Sequence, residues 1–398
     1  MMHLDIRPQT SAASASENAS ACQSVKVRLL SLDVFRGLTI GAMILVNDPG
    51  DGPASYWPLR HADWNGWTPT DLIFPFFVFI VGVAMAFSFA SRLARGDTRT
   101  QLLRHVCIRG LVLFAMGMFL NGLPRHFDLA HWRIYGVLQR IAICYVVTSV
   151  IELYTEWRSQ LSLAVACLAV YWVLMRYVPV PGFGIPTHQI PLLDPDRNLV
   201  AWLDRKLLLG HLYEGTRDPE GLLSTIPSLA TCLAGLLTGK WLRTKNSSTK
   251  KAMAMAAMGI LAASLGRGFD LWFPINKKLW TSSYVLFTAG LALVVLAFCY
   301  WLLDVKRLGG RWTEAVLVLG KNAIAAYFFS ELLAISLYAV TIPRPGVGRI
   351  SLQEYVFSRC FLPFSSPRNA SLAYALVYVL VCWAMMAILY RKRIFLKI

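Results

Sequence analysis

The segment from residue 47 to residue 71 combines the side chains that acid–base chemistry needs. His61 is followed by a carboxylate at Asp63 and by another at Asp71. A histidine that a neighbouring carboxylate orients can act as a general base near neutral pH. Asp63 and Asp71 are therefore both candidates for the orienting group. Asn47 is a candidate donor to a developing negative charge, because an amide donates hydrogen bonds without adding charge; the alternative for Asn47 is a helix C-cap.

The same segment contains three tryptophans, Trp57, Trp64 and Trp67. Indole rings can stack on the apolar face of a sugar, but Trp also anchors proteins at a membrane interface, and the sequence leaves both readings open. The acidic residues of the segment favour a cationic ligand over an anionic one.

The composition indicates what kind of protein positions these groups. The chain has 398 residues, with 56% hydrophobic residues, 15% charged residues and 39 Lys plus Arg against 22 Asp plus Glu. Soluble proteins have about 25% charged residues, so an ordinary soluble enzyme is excluded. The basic residues lie in short clusters between long apolar runs, which argues against a nucleic-acid partner. The eight cysteines form no CxxC pair, and no metal site is predicted.

The apolar runs predict an all-α, polytopic membrane protein. A helix needs about 20 mostly apolar residues to cross a bilayer. About ten segments satisfy this length: 29–47, 71–91, 106–122, 134–154, 160–178, 221–242, 252–272, 280–303, 314–340 and 371–390.

The distribution of Lys and Arg predicts the orientation of these helices, because cytoplasmic loops are enriched in both. Basic clusters near residues 92–104, 240–251, 306–311 and 391–397 place both termini in the cytoplasm. Residues 1–26 are predicted to be a disordered cytoplasmic tail without a signal peptide, and residues 27–398 a transmembrane domain. The long outward loop at 179–220 is predicted to lie on the membrane surface or to cap a cavity.

Charged and polar residues inside the predicted spans are functional candidates, because burying a charge in a bilayer costs at least about 2.5 kcal/mol. These residues are Asp33 and Arg36 in the first span, Gln139 and Arg140 in the fourth, and Lys321, Asn322 and Glu331 in the ninth. Each is alternatively part of a structural ion pair between helices.

Five motifs together resemble bacterial members of the heparan-α-glucosaminide N-acetyltransferase family of transmembrane acyltransferases. They cover the chain from about residue 28 to residue 390 in the family's order and read LLSLDVFRGLTIGAMILVN, WPLRHADWNGWTPTDLIFPFFVFIVG, YGVLQRIAICY, DPEGLLSTIPS and FPINKKLWTSSYVLFTAG. The resemblance is to the catalytic core of the lysosomal members, which have an additional luminal domain.

The resemblance implies transfer of an acetyl group from cytoplasmic acetyl-CoA to the amino group of glucosamine or a related amino sugar across the membrane. It implies that His61 is catalytic and that Asn47 and Arg140 are motif positions. It also implies a homodimer and, with the compact loops, a bacterial inner membrane. The sugar-side candidates are Trp64, Asn276, Lys277 and Ser282. At position 48 this chain has an aspartate where the lysosomal proteins are expected to have a tyrosine-like residue.

Imposing the topology separates the candidates into two layers. The outward layer contains His61 with Asn47, Asp63, Asp71, Asn276 and Lys277. The inward layer contains Arg36, Lys321 and Asn322, which we expect, with Gln139 and Arg140, to bind the anionic and pantetheine parts of CoA. His61 then either deprotonates the amine in a ternary complex or attacks the thioester to give an acetyl-imidazole.

Two other functions remain open from the sequence. Ten spans with intramembrane charges also occur in small-solute transporters, although these often have two related halves and no repeat is visible here. An acyltransferase acting on a lipid or polysaccharide hydroxyl is the nearer alternative.

Overall fold

A computed structural model describes residues 29–344 and 348–395 of the chain. The predicted tail at residues 1–26 lies outside the described residues. The fold is mostly helical, as predicted, with one short antiparallel hairpin that the sequence did not predict.

Thirteen α-helices are present in the described ranges. They are α1 (Leu30–Asn47), α2 (Ile73–Leu93), α3 (Arg99–Gly122), α4 (Val137–Tyr154), α5 (Trp157–Tyr177), α6 (Leu199–Leu207), α7 (Thr225–Leu242), α8 (Ser248–Phe269), α9 (Ser282–Tyr300), α10 (Arg311–Lys321), α11 (Ala323–Ala339), α12 (Leu352–Cys360) and α13 (Pro367–Arg391). The hairpin strands are β1 (Thr341–Arg344) and β2 (Gly348–Ser351).

Each predicted span coincides with a helix, but the number of helices fit to cross a membrane is smaller than ten. Eight helices in the described part are long and apolar enough, or up to nine if the bent pair α10–α11 is one span. The difference lies at α7, which includes Lys240 and several Ser and Thr residues. Over half of the residues of α7 are buried against other helices. Its surface therefore does not have to be as apolar as that of a lipid-facing helix.

Two helix boundaries affect the functional candidates. Helix α3 begins at Arg99, so Arg104 belongs to a helix and not to the cytoplasmic loop in which the sequence placed it. Helices α10 and α11 meet at an angle of 71°, with the break at Lys321 and Asn322.

Close packing of α1 on α10 fixes one end of the bundle. A Cβ atom on Gly37 would lie 2.3 Å from the carbonyl oxygen of Val316, and one on Gly320 would lie 2.1 Å from that of Asp33. Only glycine permits this approach, and it brings Arg36 beside the break between α10 and α11.

The loops predicted to face outward, called the outward loops below, are built from short elements around the helix ends. Two 3₁₀ turns, Trp57–Leu59 and Pro69–Leu72, lie between α1 and α2. Helix α6 lies within the loop predicted at 179–220, and its Asn198 N-cap accepts a hydrogen bond from the amide of Ala201. The one acidic residue of α6, Asp204, is fully buried, so this loop folds back onto the protein.

Candidate functional site

His61 is oriented by Asp71 in the structure. His61 Nδ1 lies 2.7 Å from Asp71 Oδ1. The carboxylate of Asp71 is 1% exposed, whereas the side chain of His61 is 47% exposed. If Nδ1 carries the proton donated to Asp71, Nε2 is left as a hydrogen-bond acceptor on this half-exposed side chain. This is the arrangement of a histidine general base and its orienting carboxylate.

The local sequence holds Asp71 in place independently of His61. Asp71 Oδ2 accepts hydrogen bonds from the amides of Ala62 at 3.0 Å and Thr68 at 2.9 Å. Thr68 and Asp71 form a reciprocal capping box at the start of the second 3₁₀ turn. The hydroxyl of Tyr284 in α9 donates to the carbonyl oxygen of Asp71 at 2.5 Å. Asp71 is therefore fixed from its side chain and its backbone.

Asp63 and Trp64 lie elsewhere in the loop. Asp63 is exposed, so of the two carboxylates it is Asp71 that the structure brings to His61. Trp64 donates through Nε1 to the carbonyl oxygen of Leu193 at 2.8 Å, and the guanidinium of Arg217 stands 5.1 Å from its ring. Trp64 thereby joins the His61 loop to the long outward loop.

Lys277 completes a cluster of three polar groups. Its Nζ lies 3.0 Å from Nδ1 and 3.2 Å from Nε2 of His61, and 3.9 Å from Asp71 Oδ1. Burial lowers the pKa of Lys277 below its ordinary value, although Asp71 and Glu220 oppose this shift. An ammonium in this position can donate a hydrogen bond to a group bound against His61.

The other two sugar-side candidates of the Lys277 motif have protein partners. Asn276 is fully buried, and its amide nitrogen donates to Asn65 Oδ1 at 3.2 Å while its amide oxygen accepts from the Leu279 amide at 2.9 Å. Ser282 donates to the carbonyl oxygen of Leu168 in α5 at 2.8 Å. Both residues shape the loop that presents Lys277 to His61.

A second outward turn carries acidic residues to the same region. Arg133 Nη2 lies 2.7 Å from Asp218 Oδ1 and 2.5 Å from Glu220 Oε2. Burial acts to raise the pKa of Glu220, but Arg133, Arg140 and Lys277 together outweigh it and hold this pKa below its ordinary value. Glu220 is an electrostatic neighbour of Lys277. The turn therefore presents an ionised carboxylate near the His61 cluster.

Asn47 lies beside a third group of acidic residues. Its amide nitrogen is 3.4 Å from Glu331 Oε1 in α11, and Asn47 is exposed at the end of α1. The neighbouring Asp48 has its pKa raised to about 8 by burial and by the charge of Glu331. The hydroxyl of Tyr378 in α13 donates to the backbone of Ser330 at 2.6 Å and holds α11 against α13.

Arg140 and Gln139 are buried between helices. Arg140 Nη2 donates to the carbonyl oxygen of Gly221 at 3.2 Å and to Ser224 Oγ, and its guanidinium stands 5.0 Å from the ring of Trp280. Arg140 thus connects the turn that contains Glu220 with the loop that contains Lys277. The side-chain amide of Gln139 has no hydrogen-bond partner among the described residues.

The predicted inward residues meet where α1, α10 and α13 join. Arg36 Nη1 lies 3.1 Å from Asp33 Oδ1, and Lys321 Nζ donates to the Tyr390 hydroxyl at 3.0 Å. Asn322 donates to the carbonyl oxygen of Ile394 at 3.3 Å. Arg36 and Asn47 are eleven residues apart on α1, which corresponds to about 16 Å along the helix axis. The two predicted layers are therefore separate in the structure.

Sequence reasoning missed three residues of this region: Arg133, Asp218 and Glu220. The signal for two of them was present, because Asp218 and Glu220 lie in the DPEG motif. Nothing in the local sequence of Arg133 indicates that it bridges both carboxylates across the bundle.

Known proteins are similar to this chain over most of its length. A family model described as Heparan-alpha-glucosaminide N-acetyltransferase, catalytic, matches residues 28–269. The human protein named heparan-alpha-glucosaminide N-acetyltransferase is 30% identical over 425 residues, which cover 93% of this chain and 60% of the human one. The mouse protein of that name is 30% identical over 387 residues, covering 83% of this chain and 55% of its own. The chain thus spans less than two thirds of the length of these relatives.

Proposed function

This chain belongs to the heparan-alpha-glucosaminide N-acetyltransferase family, and we propose that it transfers an acetyl group from acetyl-CoA to the amino group of glucosamine or a related amino sugar. The observation that supports this most directly is the hydrogen bond between His61 and the buried Asp71, with Lys277 beside both. An oriented base next to a cationic donor is what aminolysis of a thioester requires.

His61 has the proton role in this proposal. A protonated amino sugar is not a nucleophile until it loses a proton, and Nε2 of His61 can accept it when the Lys277 ammonium, 3.2 Å from that nitrogen, turns to the bound thioester. The amine nitrogen then bonds to the carbonyl carbon of the thioester, the carbon–sulfur bond breaks, and the CoA thiolate takes up the second proton that the nitrogen loses as it becomes an amide. Asp71 stabilises the imidazolium that forms and keeps the ring in one orientation.

The oxyanion of the tetrahedral intermediate needs donors that are already in place. Lys277 is the first candidate, because its ammonium lies within 3.2 Å of both ring nitrogens of His61. Asn47 is the second, with its amide now directed to Glu331. A route through an acetyl-imidazole uses the same residues, with Nε2 as the nucleophile.

The charges of the outward region favour a cationic acceptor. Glu220, whose pKa is held below its ordinary value, acts electrostatically on Lys277, and an ionised carboxylate attracts an ammonium more strongly than a neutral hydroxyl. We therefore place the amine above the hydroxyl acceptor of an O-acyltransferase.

The donor is proposed to enter from the opposite face of the membrane. Both termini are proposed to be cytoplasmic, which puts Arg36 and Lys321 on the cytoplasmic side, where their cations suit the phosphates of CoA. In a bacterial inner membrane the acceptor would then be periplasmic. Residues 27–398 would form the transmembrane acyltransferase domain, and two copies would associate as a homodimer.

Acetyl transfer by the full-length protein in lipid nanodiscs tests the proposal. Acetyl-CoA consumption would be followed with glucosamine and, as the matched hydroxyl compound, with glucose. We expect N-acetylglucosamine with the first and no product with the second. Acetylation of glucose alone would replace the proposal by O-acyl transfer, and the absence of both acetyl-CoA binding and turnover would refute acyl transfer.

A further inference from the structure

A cluster of basic side chains lies between α2, α3 and α4 at the end of the bundle predicted to be cytoplasmic. Arg92 Nη2 in α2 lies 3.0 Å from His105 Nε2 in α3. The guanidinium of Arg109, one turn further along α3, stands 5.0 Å from the ring of Tyr145 in α4. None of these residues belongs to the predicted donor or acceptor groups.

The cluster contains more positive than negative charge. The charged groups that act on His105 are Arg92, Arg109 and Asp97. Asp97 lies 3.5 Å from Arg92, so it offsets one of the two guanidinium groups. The partners of Arg109 are the neutral ring and hydroxyl of Tyr145. Within the described part of the chain, one guanidinium therefore has no carboxylate paired with it.

Arg109 also has an unused hydrogen-bond donor. Its Nε atom is buried and has no hydrogen-bond partner among the described residues. Arg109 lies ten residues into α3, about 15 Å along the axis from Arg99, so this charge lies within a helix fit to cross a membrane. A buried donor on an intramembrane cation is costly unless a partner binds there.

The geometry points to a phosphate-binding site formed by Arg92, His105 and Arg109. Guanidinium groups match the oxygens of a phosphate with paired donors, and a phosphate would supply the negative charge that the cluster lacks. This inference goes beyond the proposed function, since it assigns an anion site to residues outside the proposed donor-binding and acceptor-binding groups.

Two sources supply a phosphate on this side of the membrane. One is the donor, because CoA has a 3′-phosphate as well as a diphosphate. The other is an anionic phospholipid headgroup. The residues Ile108 and Leu111, which adjoin the cluster on α3, are 52% and 69% exposed and provide an apolar surface for acyl chains. Only the first source depends on the proposed function.

The test uses the full-length protein in nanodiscs, with Arg109→Gln and Arg92→Gln as the variants. Arg104→Gln is the matched control, because Arg104 is an exposed arginine of the same helix. In the first arm, the Kd of CoA and of 3′-dephospho-CoA is measured in phosphatidylcholine discs. In the second, native mass spectrometry counts phosphatidylglycerol retained from mixed lipids.

We expect wild type and Arg104→Gln to discriminate in at least one arm, either by binding CoA about tenfold more tightly than its dephospho form or by retaining phosphatidylglycerol. Both cluster variants should lose that discrimination. A loss in the first arm identifies the donor, and a loss in the second identifies a lipid. Equal behaviour of the cluster variants and Arg104→Gln in both arms would overturn the inference.

If Arg109→Gln does not fold, the variant at the part-exposed Arg92 decides the result. Neither readout requires turnover, so a failure of the proposed acetyl transfer would be recognised separately.

Discussion

The cations at the predicted outward end of the bundle and those at the predicted inward end have different partners. At the outward end Lys277 lies 3.9 Å from the Asp71 carboxylate, and Arg133 lies within 2.7 Å of Asp218. At the inward end Lys321 is 3.0 Å from the neutral hydroxyl of Tyr390. Lys277 and Arg133 therefore have carboxylate partners, whereas Lys321 and Arg109 contact tyrosines, although Arg36 and Arg92 at the same end are paired with Asp33 and Asp97.

This difference matches the two substrates of the proposed reaction. Carboxylates at one end suit an acceptor that arrives as an ammonium, and a cation such as Lys321, whose hydrogen-bond partner is neutral, suits a donor that carries phosphates at the other end. The comparison therefore predicts that outward substitutions change catalysis and acceptor use, while inward substitutions change donor binding.

The largest effect is expected from Asp71→Asn. The amide cannot accept from His61, Ala62 and Thr68 as the carboxylate does, so the imidazole loses its orientation and the stabilisation of its charged form. We expect kcat to fall on the order of 10³-fold with the Kd of acetyl-CoA unchanged. Asp63→Asn, in the same loop but exposed, is the control and should stay near wild type. Equal losses in both variants would contradict the assignment of Asp71.

Lys277→Met should lower kcat by about 10²-fold, because a preorganised donor to the oxyanion is removed. Its pH dependence provides a second test. Burial lowers the pKa of Lys277, so the charged form is lost as pH rises through a value below that of an ordinary lysine, and activity should decline there. Lys277→Arg remains charged and should move this decline to higher pH. A pH profile identical in wild type and Lys277→Arg would exclude the ammonium as the donor.

Glu331→Gln is expected to raise the KM for the amino sugar about tenfold with little change in kcat, since the carboxyl group beside Asn47 is removed. Glu354→Gln, an exposed position on α12, serves as the control. Steady-state kinetics with varied glucosamine measure both constants. A change confined to the KM of acetyl-CoA would place Glu331 on the donor side instead.

The smallest effect is expected at the inward end. Lys321→Gln should raise the KM for acetyl-CoA by about threefold to tenfold and leave the KM for the acceptor unchanged. Lys245→Gln removes an exposed charge from another loop predicted to be cytoplasmic and controls for net charge. An altered acceptor KM would break the distinction between the two ends.

Much of the fold was predictable because a bilayer imposes length and apolarity on each helix. All ten predicted segments coincide with helices, and the motif residues identify the family. The sequence predicts more spans than the structure has candidate membrane-spanning helices, and the extra span is α7. Other helices surround much of α7 in place of lipid, so its side chains do not all have to be apolar. The hairpin was missed because its eight strand residues include Pro343 and show no clear alternation.

The site was predictable only in part. His61 and its two candidate carboxylates follow from local sequence, but the choice of Asp71 depends on a capping box that turns one carboxylate toward the ring. Lys277 reaches His61 across 216 positions of the chain, which spacing cannot reveal. The same applies to Arg133, whose carboxylate partners lie 85 and 87 positions away.

The most direct test of the central claim compares His61→Ala with His188→Ala in a single-turnover assay. Both histidines are exposed in outward loops, so the pair separates chemistry from surface change. With acetyl-CoA bound and glucosamine added, the rate of N-acetylglucosamine formation should fall at least about 10²-fold in His61→Ala and stay at the wild-type value in His188→Ala. An undiminished rate in His61→Ala would contradict the account.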